Sequence, residues 1–69
     1  MAYETIEFEI TDGVAVLTLN RPQSLNSFNT DMHAEVRDAL KTVKKSAEVR
    51  CLVLTGNGRG FCAGQDLSD

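Results

Sequence analysis

The chain reads as an α/β protein: a β-hairpin, a helix, a strand parallel to the second hairpin strand, and a glycine-rich loop. Three observations predict this. Ile6, Phe8 and Ile10 alternate with Thr5, Glu7, Glu9 and Thr11 up to an Asp12-Gly13 pair, and a second apolar run follows at once. Met32, Val36, Ala39, Leu40 and Val43 then recur at helical spacing. Finally, the apolar run at residues 49–54 leads into Gly56, Gly58, Gly60 and Gly64.

The alternation over residues 5–11 predicts a strand with one wet face. Asp12-Gly13 is a hairpin turn signal, because both residues tolerate the positive φ that a tight two-residue turn needs. Val14, Ala15, Val16, Leu17 and Leu19 make the returning strand apolar on both sides. Asn20-Arg21-Pro22 ends it: Pro22 donates no N–H and pushes Arg21 out of the helical region. Residues 20–29 then form a polar loop with Leu25 and Phe28 as its apolar anchors.

Asn29 or Thr30 caps a helix running to about Ser46, with Asp31 favourable in the first turn and Lys41, Lys44 and Lys45 complementing the dipole near its end. Residues 49–54 read as a buried strand that includes Cys51. A strand–helix–strand crossover favours a parallel, right-handed arrangement. One hairpin and one helix leave the far face of such a sheet uncovered, so residues 1–69 read as a fragment of a larger protein rather than a complete domain. A free-standing domain of this size would bury only about 60% of its unfolded surface.

Composition narrows the function classes. Hydrophobic content of 42% and charged content of 25% are ordinary for a globular protein. The net charge of −3 excludes a broad nucleic-acid footprint, and the cations cluster at a helix end without interleaved aromatics. No apolar stretch is long enough for a membrane span, and Met1-Ala2-Tyr3-Glu4 has no signal-peptide character. Two cysteines, Cys51 and Cys62, without a sequon or zinc-type spacing, fit a reducing cytoplasm and no metal.

The glycine loop carries the chemistry. Glycines leaving a strand let backbone N–H groups face a ligand at close range. The P-loop pattern fails, because no lysine follows Lys45, and the dinucleotide fingerprint fails at Phe61. Asp66 reads as a helix cap or a brace for the loop rather than an acid–base residue, and Asp69 lies beside it. His33 reads as solvent-facing or locally bonded, and Cys62 as a small buried hydrophobe rather than a nucleophile.

Three stretches, taken in order, resemble the enoyl-CoA hydratase/isomerase (crotonase) superfamily. They are Asn20-Arg21-Pro22 with Leu25-Asn26-Ser27-Phe28, then Arg50-Cys51-Leu52 with Leu54-Thr55-Gly56, then Gly60-Phe61-Cys62-Ala63-Gly64 with Asp66-Leu67. The resemblance covers essentially the whole chain. Within the superfamily, residues 59–67 together with Leu25-Asn26-Ser27-Phe28-Asn29 and Met32-His33-Ala34 look closest to the isomerase branch of bacterial phenylacetate degradation.

The resemblance implies the N-terminal part of a crotonase-type ββα spiral, assembled as a homotrimer or hexamer. It implies an acyl-CoA substrate, with coenzyme A as part of that substrate and no other cofactor. It assigns the backbone N–H of Gln65 to an oxyanion hole that stabilises a thioester enolate, with Gly64 shaping the turn. It places Gln23, Ser24, Leu25 and Arg59 along the CoA phosphates and pantetheine, the Ala63 carbonyl at the adenine amino group, and Asp66 and Leu67 beside them. Some members carry lysines where this chain has Gln23 and Ser68, which leaves Arg59 as the phosphate cation. The second oxyanion donor and the catalytic carboxylates lie later in such proteins, so residues 1–69 alone are expected to be inactive. A non-catalytic nucleotide- or CoA-binding module and a purely structural fragment are the rival readings of the glycine loop.

Overall fold

A computed structural model describes residues 3–68. The elements run β1 (Ile6–Thr11), β2 (Val14–Leu19), a short 3-10 turn (Pro22–Ser24), α1 (Thr30–Lys45) and β3 (Cys51–Gly56). One three-stranded sheet has the order β1-β2-β3, antiparallel between β1 and β2 and parallel between β2 and β3. The hairpin turns on Asp12 at φ 52° and Gly13 at φ 80°, the paired positive values that match the twist of the flanking strands. The crossover through α1 makes β2 and β3 parallel, as the sequence predicts.

The core lies where α1 crosses the hairpin. Ile6 faces Leu19 and Phe8 faces Leu17 across the antiparallel pair, and Ile6, Leu17 and Leu19 are buried with Met32 and Ala39 of the helix. Tyr3, Phe8, Phe28, Val36 and Cys62 pack around them. Asn29 caps the helix: its side chain accepts from Met32 N at 2.9 Å. Glu35 reaches back to the start of β1, accepting from the backbone of Glu4 at 3.0 Å and from both the backbone and hydroxyl of Thr5 at 2.8 Å.

Several expectations are corrected. The third strand begins and ends two residues later than residues 49–54, and it is exposed along nearly its whole length rather than buried. It is the sheet edge, paired only with β2, while the helix lies over the hairpin and leaves β3 without a covering layer. Cys51 is therefore exposed, not core. Leu40 is exposed too, lining an open groove on α1 with His33, Val36, Arg37, Lys41 and Lys44. Leu25 is no anchor: it is exposed at the end of the 3-10 turn, and the buried residues of that loop are Asn26 and Ser27. Cys62 is half-buried against the core rather than enclosed. Asp69 lies outside the described residues.

Candidate functional site

Parallel strands end side by side, so β2 and β3 deliver the loops that follow them to one edge of the sheet. In α/β folds this carboxyl edge is where ligands bind. The first loop, residues 20–29, is strained. Pro22 starts a tight turn in which Leu25 N–H donates to the Pro22 carbonyl at 3.1 Å, and Leu25 and Asn26 both adopt left-handed backbone at φ 52° and 57°. Two consecutive non-glycine residues in that region cost free energy, so the surroundings must hold them there.

Asn26 is what holds them. Its side chain has no exposure, and it satisfies three backbone groups. Its Oδ1 accepts from Arg21 N–H at 2.7 Å, while Nδ2 donates to the carbonyls of Asn57 and Gly60, each at 2.8 Å. The second loop is thereby fastened to the first. Gly56 shows how closely: a Cβ there would lie 2.5 Å from the Phe61 carbonyl and 2.8 Å from Asn26 Nδ2.

From Gly60 the chain runs back along the first loop. Ala63 N–H donates to the Leu25 carbonyl at 3.0 Å. Phe28 then forms an isolated parallel bridge with Gln65: Phe28 N–H donates to Gly64 O, and Asp66 N–H donates to Phe28 O, both at 2.7 Å. In such a bridge the flanking residues face the partner, so the N–H of Gln65 points the other way. Among the described residues nothing accepts from it. Gly64, at φ +106°, makes the turn that aims it, and a Cβ on Gly64 would meet nothing within 4 Å.

Arg21 and Asp66 brace this turn. The guanidinium donates to the Ser27 carbonyl at 2.6 Å and pairs with Asp66 Oδ2 at 3.2 Å. Asp66 Oδ1 accepts from the Ser68 hydroxyl at 2.7 Å and from its N–H at 3.0 Å. The bonds from Ser68 chiefly, with a lesser contribution from Arg21, hold the Asp66 carboxyl below the ordinary carboxylate range against the opposing effect of burial. Asp66 is a loop brace, one of the two bland roles its position suggested. His33 is locally bonded: its Nε2 lies 2.8 Å from Gln65 Oε1, and its ring packs on Phe28 with centroids 4.9 Å apart.

The structure brings Leu25, Ala63, Gly64, Gln65 and Asp66 together through the bonds above, with Ser24 joined by Arg21 Nη2 at 3.3 Å. Gln23, Arg59 and Leu67 are exposed around them, with Leu67 the most exposed large apolar side chain described. Among the described residues no cluster of three or more metal-ligating side chains forms, and no helix is long and apolar enough to cross a membrane.

Sequence reasoning missed Asn26, Arg21 and Phe28 as organisers of the site, although each lies in a motif it quoted. The signal was there for Asn26. A polar residue tolerant of left-handed backbone, next to apolar Leu25 in a turn, is a candidate to hydrogen-bond the surrounding main chain.

Comparison with known proteins bears on the family and the fold. The profile of the family described as enoyl-CoA hydratase/isomerase matches residues 9–69. The 1,2-epoxyphenylacetyl-CoA isomerase of Escherichia coli is 58% identical over 96% of this chain and 25% of its own length. A probable enoyl-CoA hydratase of Rhodobacter capsulatus is 49% identical over 100% of this chain and 26% of its own length. The crystal structure of an enoyl-CoA hydratase/isomerase from Mycobacterium paratuberculosis superposes with a TM-score of 0.96 at 38% identity, covering 99% of this chain and 26% of that one. The chain thus spans about a quarter of the length of the relatives it matches, and its sheet and helix match the N-terminal part of the crotonase fold.

Proposed function

The chain belongs to the enoyl-CoA hydratase/isomerase family, and from that premise we propose that it forms the N-terminal part of an acyl-CoA-processing enzyme in which the Gln65 N–H is one donor of an oxyanion hole. One observation carries this reading: the Gln65 amide is held by its neighbours on one side and, among the described residues, unpartnered on the other. When a proton leaves the α-carbon of a thioester, negative charge gathers on the carbonyl oxygen. A fixed N–H donor interacts more strongly with that oxygen as the charge develops, so it lowers the barrier and not merely the energy of the bound substrate.

In this reading the thioester lies across the carboxyl edge of β2 and β3. Gln23, Ser24 and Leu25 flank the pantetheine, Arg59 meets a phosphate, the Ala63 carbonyl accepts from the adenine amino group, and Asp66 and Leu67 border the groove. Coenzyme A enters as part of the substrate, and no separate cofactor is needed. The second donor and the carboxylates that move the proton come from the remainder of the family-length polypeptide. A homotrimer or hexamer in the cytoplasm, acting in phenylacetate or fatty-acid degradation, completes the proposal, and the 58% identity to an epoxyphenylacetyl-CoA isomerase favours the first pathway.

The test removes the donor alone. Replacing the Gly64–Gln65 peptide link by an ester in the family-length enzyme deletes the N–H and keeps every side chain. Turnover of an acyl-CoA is expected to fall by about 10²- to 10³-fold, and the carbonyl stretch of bound thioester is expected to rise toward its value in water. Near-normal turnover with an unchanged stretch refutes the assignment.

A further inference from the structure

Resting on the oxyanion reading above, we propose that His33 is a positioning residue for the Gln65 amide: its ring holds the Gln65 side chain and so fixes the plane of the peptide that carries the donor. The need for a second anchor follows from the turn itself. Gln65 is exposed, and the Gly64 before it has open space where a side chain would be. The bridge to Phe28 holds this peptide at its carbonyl end alone: Gly64 O accepts from Phe28 N–H, and the Gln65 N–H in the same plane has no partner among the described residues. With one bond at its carbonyl end and the soft torsions of a glycine before it, that peptide can still pivot about the Phe28 contact.

The His33 ring supplies the missing constraint. Its Nε2 lies 2.8 Å from Gln65 Oε1, and a carboxamide oxygen only accepts, so the ring nitrogen donates. His33 is itself well placed to hold another group still. Its backbone N–H donates to Asn29 O at 3.0 Å within the capped first turn of α1. Its ring leans on Phe28 at 4.9 Å with the planes tilted by 48°. The three residues close a triangle: Phe28 bridges the Gln65 backbone, Phe28 supports the His33 ring, and His33 holds the Gln65 side chain. An oxyanion donor acts over a narrow range of distance, so even small rocking of this peptide weakens it.

Four variants of the family-length enzyme test the proposal: His33→Ala, His33→Gln, Gln65→Ala, and the double change to alanine. Because the donor acts on charge present only in the transition state, His33→Ala is expected to lower kcat by about tenfold with KM within about twofold. His33→Gln keeps a donor that can reach Gln65 Oε1 and recovers most of kcat. Gln65→Ala retains the main-chain N–H but loses the tether, so it matches His33→Ala, and the double variant is no worse than either. The carbonyl stretch of bound thioester moves part-way toward its value in water in both single alanine variants.

Full kcat in His33→Ala overturns the proposal, as do losses that multiply in the double variant or a change confined to KM. A stretch lowered equally in wild type and His33→Ala overturns it while leaving the oxyanion reading intact. A wild-type enzyme with no lowered stretch at all overturns both.

Discussion

Asn26 Nδ2 lies 2.8 Å from the carbonyl of Gly60, so a side chain with no solvent exposure joins the loop after β2 to the loop after β3. The same nitrogen bonds Asn57 O, and Oδ1 accepts from Arg21 N–H. Replacing Asn26 with alanine or leucine strands one part-buried donor and two carbonyls, at a cost of about 3 kcal/mol. Asn26→Asp keeps the shape but turns an acceptor toward both carbonyls, and is expected to be at least as damaging. Urea unfolding of the family-length enzyme checks both, with turnover falling further than stability alone explains because the Gln65 turn loses its register.

Gly56 and Gly64 separate a packing glycine from a conformational one. A Cβ at Gly56 falls 2.5 Å from a backbone oxygen, which must move, whereas Gly64 has open space and needs glycine only for its φ of +106°. Gly56→Ala is therefore expected to destabilise the fold, measured as a lowered unfolding midpoint. Gly64→Val is expected to lower the midpoint through backbone strain rather than a clash, and to abolish turnover, because the backbone leaves the left-handed region and redirects the Gln65 N–H. A stable Gly64→Val enzyme with near-normal kcat would count against the oxyanion role.

Arg59 is the cation on the glycine loop, exposed beside Gly58 and Gly60. If it meets a CoA phosphate, Arg59→Ala raises KM for acyl-CoA several-fold and leaves kcat unchanged, since the phosphate carries the same charge throughout the reaction. The difference from wild type is expected to shrink as ionic strength rises. Steady-state kinetics at low and high salt check it.

The pH dependence of stability has two limbs. Glu35 is pushed up by burial but held lower overall by hydrogen bonds from Thr5, Glu4 and Ile6, and Asp66 is held low by Ser68 and Arg21. Groups with depressed folded values contribute stability that is present above their unfolded values, near 4, and lost as pH falls through the folded ones. The urea midpoint is thus expected to hold down to about pH 5 and then decline, less so in Glu35→Gln. At the alkaline end, the Tyr3 hydroxyl donates to Asp38 Oδ2 at 2.7 Å, and that bond with burial raises it to about 12. A raised value means stability intact below about 10 and lost between there and the folded value. Tyr3→Phe in the family-length enzyme is expected to remove this limb, read as a urea midpoint that no longer falls through the Tyr3 step as the pH rises above about 10.

The hairpin, helix and crossover were legible because each has a local cause. Asp12-Gly13 suits paired positive φ, Asn29 offers a cap, and Ile6, Phe8, Met32 and Ala39 repeat at the periods of their elements. The apolar character of Leu52, Val53 and Leu54 was equally legible, but burial is a property of what packs on a strand, and among the described residues no layer covers these three, which stay 40–51% exposed. Leu25 misled for a related reason. Its apolarity suggested an anchor, while the buried position went to polar Asn26, which is satisfied there by three backbone groups that adjoin it only in space.

Local order along the chain was thus set by neighbouring residues: turn type, cap, helix length and strand alternation all depend on contacts within a few positions. The direction of the Gln65 N–H was not. It depends on Phe28 and His33, 37 and 32 residues away along the chain, meeting the glycine loop at one edge of the sheet. A backbone amide has no residue identity for a sequence to display, and its orientation exists only once distant groups have closed around it.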